Sequence, residues 1–290
     1  MTDPNQPQPT IFIDPFVDFA WKRLFASEES KPILIGLLNL LFRGNKHIVA
    51  IEYGKTEYPG ENDEEGGAIF DITCTDADGS TFIIEIQRGW QEHFIDRSLF
   101  YLSRAISEQA PKGGRKEWGY KLKEVYLIAF LEDFRLPNSS KSEYMQEICL
   151  ANRKTGKIFY DKMSLIFIEM LNFVKKPKDL DSDLDKWVYA LKHLTEFKTR
   201  PDYLSGPEFD QLFNLARYAN LTREERAMYN ASLKRKWDNK NVMDYAVKTA
   251  EQKGRKELAL ELAREMLAEN EPIDKVVRYT KLSIEEIQSL

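Results

Sequence analysis

The sequence predicts an α/β fold: a mixed central sheet flanked by helices, followed by a C-terminal helical region. Three observations carry this expectation. Residues 67–87, GAIFDITCTDADGSTFIIEIQ, alternate apolar and polar side chains on two arms around a tight turn, the period-2 signature of a β-hairpin. The unbroken apolar run 125–130 reads as a buried central strand. From residue 179 onward the apolar spacing becomes helical.

Taken in order, the first dozen residues are rich in Pro and Gln and are expected to be poorly ordered, with structure starting near Asp14. Phe16, Phe19, Ala20, Leu24 and Phe25 fall at helical spacing, and a second helix over 31–42 follows a break at 27–30. Residues 47–58 alternate as a strand, on which Glu52 is a candidate additional acid, and the acidic stretch 60–66 leads into the hairpin. After the hairpin, 92–109 reads as one helix, with Leu99, Leu102 and Ile106 on one side and Arg97, Tyr101 and Arg104 on another. Arg97 and Tyr101, four residues apart, face the same way. Residues 143–152 and 157–168 read as the last strands, and helices are expected over 183–197, 208–218, 222–237 and about 242–268. The tail, 271–290, pairs two short helices, with Ser283 and Glu286 in capping-box spacing.

The hairpin carries the chemistry. Phe70, Ile72, Cys74, Phe82, Ile84 and Ile86 form one apolar face, and Asp71, Thr73, Glu85 and Gln87 share the other. A two-residue turn at Asp78-Gly79 would oppose Asp71 to Ile86. A three-residue turn, 77–79 with Gly79 left-handed, opposes Asp71 to Glu85 and unites the apolar residues on one face, so it is the expected register. It brings the two carboxylates to about 5 Å at their Cβ atoms. Carboxylates that close repel and raise one another's pKa unless a cation joins them. An oxygen-only donor set suits a hard divalent ion, Mg²⁺ or Mn²⁺. The competing interpretation is ordinary solvated strand surface.

The Asp71 strand, the tight turn and Glu85-Ile86-Gln87 resemble the PD-(D/E)xK nuclease superfamily. More narrowly they resemble its recombination-promoting nuclease or putative transposase (Rpn-like) branch, where Gln stands in the superfamily's Lys position. Three more stretches carry the resemblance: 14–25, DPFVDFAWKRLF; 96–104, DRSLFYLSR; and 120–130, YKLKEVYLIAF. The similarity covers about residues 14–170 and returns weakly at the C-terminus. It implies a restriction-endonuclease-like core with Asp71, Glu85 and Gln87 as catalytic residues, and a metal held by Asp71, Glu85 and the Ile86 carbonyl. It further implies a first helix beside the site, with Asp18 as a metal- or water-held carboxylate and Lys22 as a phosphate contact, and Arg97 and Tyr101 as supporting residues. From spacing alone, Asp18 and Lys22 are the polar face of an amphipathic helix, and Arg97 and Tyr101 pack their helix onto the sheet.

With 42 basic and 47 acidic residues the net charge is −5, so nucleic acid would have to be met by a local patch. The best candidate is the loop PKGGRK at 111–116, with Lys112, Arg115 and Lys116, next to Trp118 and Tyr120; such a composition grips phosphates and stacks bases. Two cysteines are too few for a disulfide framework, and the N-terminus lacks a signal-peptide pattern. No apolar run is long enough to cross a bilayer. A cytoplasmic protein is expected.

The expected organisation is a disordered segment 1–13, a nuclease-like domain 14–175, a helical region 176–270 and a small helical tail 271–290. That tail resembles a helix-turn-helix with an acidic second helix, which suits docking or homo-oligomerisation through the C-terminal helices better than DNA reading. The functional expectation is a metal-dependent DNA endonuclease linked to recombination or mobile elements. The alternative is a nuclease-derived scaffold or partner-binding protein without catalysis, for which the acidic net charge argues.

Overall fold

Every residue of the strand 125–131 is buried, as its unbroken apolar sequence requires, and the sheet assembles around it. The computed structural model describes residues 10–58, 68–111 and 118–290. In chain order the elements are α1 (Asp18–Phe25), α2 (Lys31–Leu41), β1 (Ile51–Tyr53), β2 (Glu57–Tyr58), β3 (Ala68–Ile69), β4 (Ile72–Asp76), β5 (Thr81–Gln87), α3 (Phe94–Ser107), β6 (Val125–Leu131), β7 (Met145–Ala151) and β8 (Ile158–Glu169). Helices α4 (Asp183–His193), α5 (Pro207–Ala216), α6 (Arg223–Ala268), α7 (Ile273–Thr280) and α8 (Ile284–Gln288) follow. The main sheet has the order β1-β4-β5-β6-β8-β7, with β5, β6 and β8 parallel and the remaining pairs antiparallel. β2 and β3 form a separate ribbon.

Both faces of the sheet are covered. On one, Phe82 stacks on Tyr126 at 5.5 Å, Phe42 after α2 meets both rings, and Trp21 of α1 meets Phe130 at 5.1 Å. On the other, Ile83, Leu127 and Phe167 pack against Phe94 and Leu102 of α3.

The β4–β5 hairpin has the register that places Asp71 opposite Glu85. Ile72 faces Ile84 and Cys74 faces Phe82, and the turn closes with the Asp76 N–H donating to the Ser80 carbonyl at 3.0 Å. Gly79 holds φ +84°, a conformation that costs glycine little and any other residue more.

Three expectations change. Order starts before Asp14: Phe12 and Ile13 are fully buried, the Ile13 N–H donates to the Ala216 carbonyl at 2.8 Å, and Phe12 bridges Arg217. The expected strand 47–58 breaks after Tyr53, because the Gly54 N–H bonds to Thr73 of β4 whereas Thr56 accepts the Phe70 N–H and leads into β2. The expected helices 222–237 and 242–268 are one 46-residue helix, since no Gly or Pro stands between them to stop it.

The chain divides into two compact units, Met1–Ser232 and Leu233–Leu290. In the first, α4, α5 and the start of α6 belong with the sheet: the Tyr229 hydroxyl accepts the Asp14 N–H at 2.9 Å, and Arg23 of α1 pairs with Glu225. In the second, Ala263 of α6 is buried against Val276, Leu282 and Ile287 of the tail, and the Ser283–Glu286 capping box is formed. Among the described residues no helix is long and apolar enough to cross a membrane.

Candidate active site

The β4–β5 ladder breaks at Asp71, and the break builds the site. Regular pairing would exchange hydrogen bonds between Phe70 and Ile86, two residues beyond the Ile72–Ile84 pair. Instead the Asp71 carboxylate accepts the Ile86 N–H at 2.8 Å, and the Phe70 N–H goes to the Thr56 carbonyl at 2.7 Å. This releases the Ile86 carbonyl from the ladder. In the reciprocal contact the Glu85 carboxylate accepts the Asp71 N–H at 3.2 Å. One oxygen of each carboxylate, Asp71 Oδ1 and Glu85 Oε2, takes no hydrogen bond from the described residues.

The same kink corrects the expected apolar face. Phe70 does not lie with Ile72 and Ile84; it packs in the α3-side core with Ile83, its ring 4.9 Å from Tyr101. Nor is the acidic face a solvated surface. Thr73 and Gln87 are buried on it, Asp71 and Glu85 are partly buried, and α3 lies across it.

Glu85 and Gln87 stand at the C-terminal end of β5, beside the parallel strand β6. Open α/β sheets collect their ligand-binding groups at such ends. From α3, Arg97 donates to the Gln87 Oε1 at 2.6 Å and also to Gln91, while Gln87 Nε2 donates to the Gly89 carbonyl at 3.1 Å. The guanidinium lies 5.8 Å from the Tyr101 ring centre and 5.7 Å from that of Phe94. Gln87 thus holds the guanidinium of Arg97, whose charge reaches Glu85.

Charge within this cluster is unbalanced. Burial pushes the Glu85 carboxyl up to about 8, with Asp71 adding to the rise, against the Asp71 N–H, Arg97 and Lys22. Burial also raises Asp71; the Ile86 N–H opposes this, the charge of Asp18 reinforces it, and Lys22 and Arg88 counter it. Tyr101 is raised by burial and then by Glu85.

Several residues named from the sequence thus converge: Asp71, Glu85, Gln87, Arg97 and Tyr101, with Asp18 and Lys22 close enough for their fields to act. Asp18 is already engaged, in an i,i+4 ion pair with Lys22 at 2.8 Å. Glu52 is not brought in. It is exposed and faces Thr75, four residues along β4 from Asp71, or about 13 Å of strand. Lys112, Arg115 and Lys116 lie outside the described residues, next to the tilted pair Trp118 and Tyr120 at 5.2 Å. Arg88 was not singled out; its position directly after the Glu85-Ile86-Gln87 tripeptide was the available signal.

Among the described residues no three His, Cys, Asp or Glu side chains converge as a metal cluster. The donor set is two carboxylates, each with an oxygen to spare, and the released Ile86 carbonyl. An all-oxygen set of raised-pKa carboxylates fits a hard divalent cation.

The profile of the PD-(D/E)XK nuclease family transposases matches residues 15–246. The chain belongs to this family. The match extends well past residue 170, where the sequence resemblance fades, and so takes in α4 and α5. Nucleases of the PD-(D/E)XK type typically use divalent metals, and membership supports a nuclease- or transposase-related role. No curated protein and no solved structure matches the chain significantly.

The carboxylate pair makes stability depend on pH. Glu85 ordinarily titrates near 4.5 and in the fold near 8, so between those values the folded protein holds a proton that the unfolded chain has lost. Stability contributed by this group is full below about 4.5 and falls as pH rises toward 8. Thermal melts in EDTA are expected to show Tm declining from pH 5 to pH 8, and Glu85→Gln to flatten that decline. A Glu85→Gln profile parallel to the wild type would show that the pair carries no such strain.

Proposed function

We propose that this chain is a metal-dependent DNA endonuclease that hydrolyses phosphodiester bonds, acting in recombination or on mobile elements. The observation that carries this reading is the broken end of the β4–β5 ladder, where Asp71 and Glu85 are held together with raised pKa values beside a released backbone carbonyl. Asp71, Glu85 and the Ile86 carbonyl would hold Mg²⁺ or Mn²⁺. When bound, such an ion acts as a Lewis acid toward the scissile phosphate and acidifies water.

The remaining roles belong to the chain. Gln87 cannot take a proton or supply a charge, but it fixes Arg97 by accepting its N–H. Arg97, partly buried against Phe94 and Tyr101, offers a planar donor fork to the charge that builds on the phosphate oxygens. Lys22, on the other flank, offsets the same negative charge.

The test is nicking of supercoiled plasmid in Mg²⁺, Mn²⁺ or EDTA. Metal-dependent conversion to open circles is expected. No cleavage of any DNA or RNA under any of these metals would leave the non-catalytic scaffold as the better reading.

A further inference from the structure

The last hairpin of the sheet is longer than the sheet. β8 pairs with β6 only from Met163 to Glu169, whereas β7 and β8 continue pairing outward through Leu150 with Tyr160 and Ala151 with Ile158. Register shifts between Cys149 and Ala151 leave Asp161, Lys162 and Met163 without partners on β7, and the pairing beyond them is a two-stranded arm. A network fixes its turn: Asn152 Oδ1 accepts the N–H groups of Lys154 and Thr155 at 3.0 Å, the Asn152 carbonyl accepts that of Gly156 at 2.8 Å, and Gly156 holds φ +68°.

This hydrogen-bonded turn, residues 152–157, presents three cations and carries no acid of its own. Arg153, Lys154 and Lys157 are exposed, and none forms an ion pair among the described residues. Behind them Phe159 is 81% and Ile158 64% exposed, unusual for large apolar residues on a strand. Where the arm leaves the sheet, a recess of about 220 Å³ is lined by Lys46, Lys121, Lys123 and Lys162 with Asp78 and Glu124. Lys46 is neutralised there by Glu124 and Asp76, but among the described residues Lys123 and Lys162 reach only the backbone carbonyls of Asp78 and Leu122. In a chain of net charge −5, residues 151–162 of this arm carry Arg153, Lys154, Lys157 and Lys162 against the single acid Asp161.

We propose that the β7–β8 arm is a second grip on duplex DNA, separate from the catalytic end. A two-stranded ribbon fits the major groove, and cations at its tip bind the phosphates that border it. The arm lies at the N-terminal end of the parallel strands and Glu85 at the other; Phe159 precedes Phe167, which shares a row with Glu85, by eight residues, or up to about 26 Å. That span corresponds to about eight base pairs along one duplex. The inference rests on the nuclease reading for its choice of partner. The opposing interpretation is that the cations merely guard an exposed edge strand against pairing with a second copy.

Binding of fluorescent duplexes in EDTA separates these ideas. The full-length protein carrying Arg153→Gln, Lys154→Gln and Lys157→Gln is compared with wild type and with a charge-matched control, Lys240→Gln, Lys248→Gln and Lys253→Gln. The arm variant is expected to bind a 24-base-pair duplex at least about tenfold more weakly, with the slope of log affinity against log salt reduced by about three, and the control to bind as wild type does. Equal binding by wild type and arm variant overturns the proposal. So does equal weakening in arm variant and control, or unchanged binding accompanied by self-association of the arm variant. Nicking by wild type in Mg²⁺ reads the catalytic proposal by itself: binding through the arm with no cleavage under any metal would sink the nuclease reading and leave the grip standing.

Discussion

Asp71→Asn is expected to lower Mg²⁺-dependent plasmid nicking by roughly a thousandfold while leaving Tm in EDTA unchanged or higher. A metal ligand at a phosphoryl centre supplies several kcal/mol of charge stabilisation, and about 4 kcal/mol corresponds to three decades in rate. Asparagine is the informative replacement because its side-chain oxygen can still accept the Ile86 N–H that Asp71 takes at 2.8 Å. The strand contact survives while the charge beside Glu85 is removed, which relieves a repulsion that raises the Glu85 pKa. Asp71→Ala confounds the result, since an unpartnered Ile86 N–H costs about 1–3 kcal/mol. Equal nicking by wild type and Asp71→Asn would mean that the observed activity is not made at this site.

The hairpin was legible because its information is local. Period-2 alternation and a glycine suited to positive φ fix the register, and the register fixes the juxtaposition of Asp71 with Glu85. The capping box of α8 was legible for the same reason. The position of Phe70 was not: alternation assumes an unbroken ladder, and the ladder breaks because a side chain, Asp71, takes the hydrogen bond that a backbone carbonyl would have made. The burial of Phe12 and Ile13 depends on Ala216 and Arg217, some two hundred residues away, and no local pattern reports such a contact. Nothing local in the sequence marked Arg153, Lys154 and Lys157; the length of β8 beyond its pairing with β6 is what sets them apart from the sheet. Gln87 was legible as a departure from the superfamily's lysine, but its consequence lies ten residues away on α3.

That consequence is open to a double-mutant cycle. If Arg97 is the cation that serves the scissile phosphate and Gln87 its clamp, Arg97→Ala should slow single-turnover nicking by roughly a hundred- to a thousandfold, the scale for losing one preorganised donor. Gln87→Ala should cost less, about tenfold, because Arg97 keeps its packing on Phe94 and Tyr101 and its bond to Gln91. Gln87→Lys is the diagnostic change. In the wild-type background it replaces an acceptor by an ammonium that faces the guanidinium, so it should be more damaging than Gln87→Ala. In the Arg97→Ala background the ammonium has no cation to repel and stands where the superfamily's lysine stands, so the same substitution should restore part of the lost rate. A change of sign between backgrounds requires the two residues to act on one function. Melting curves for the wild type and each variant exclude a loss of fold as the cause. Should Gln87→Lys alter the rate by the same factor in both backgrounds, Arg97 is a packing residue of α3 and the positive charge at this site comes from elsewhere.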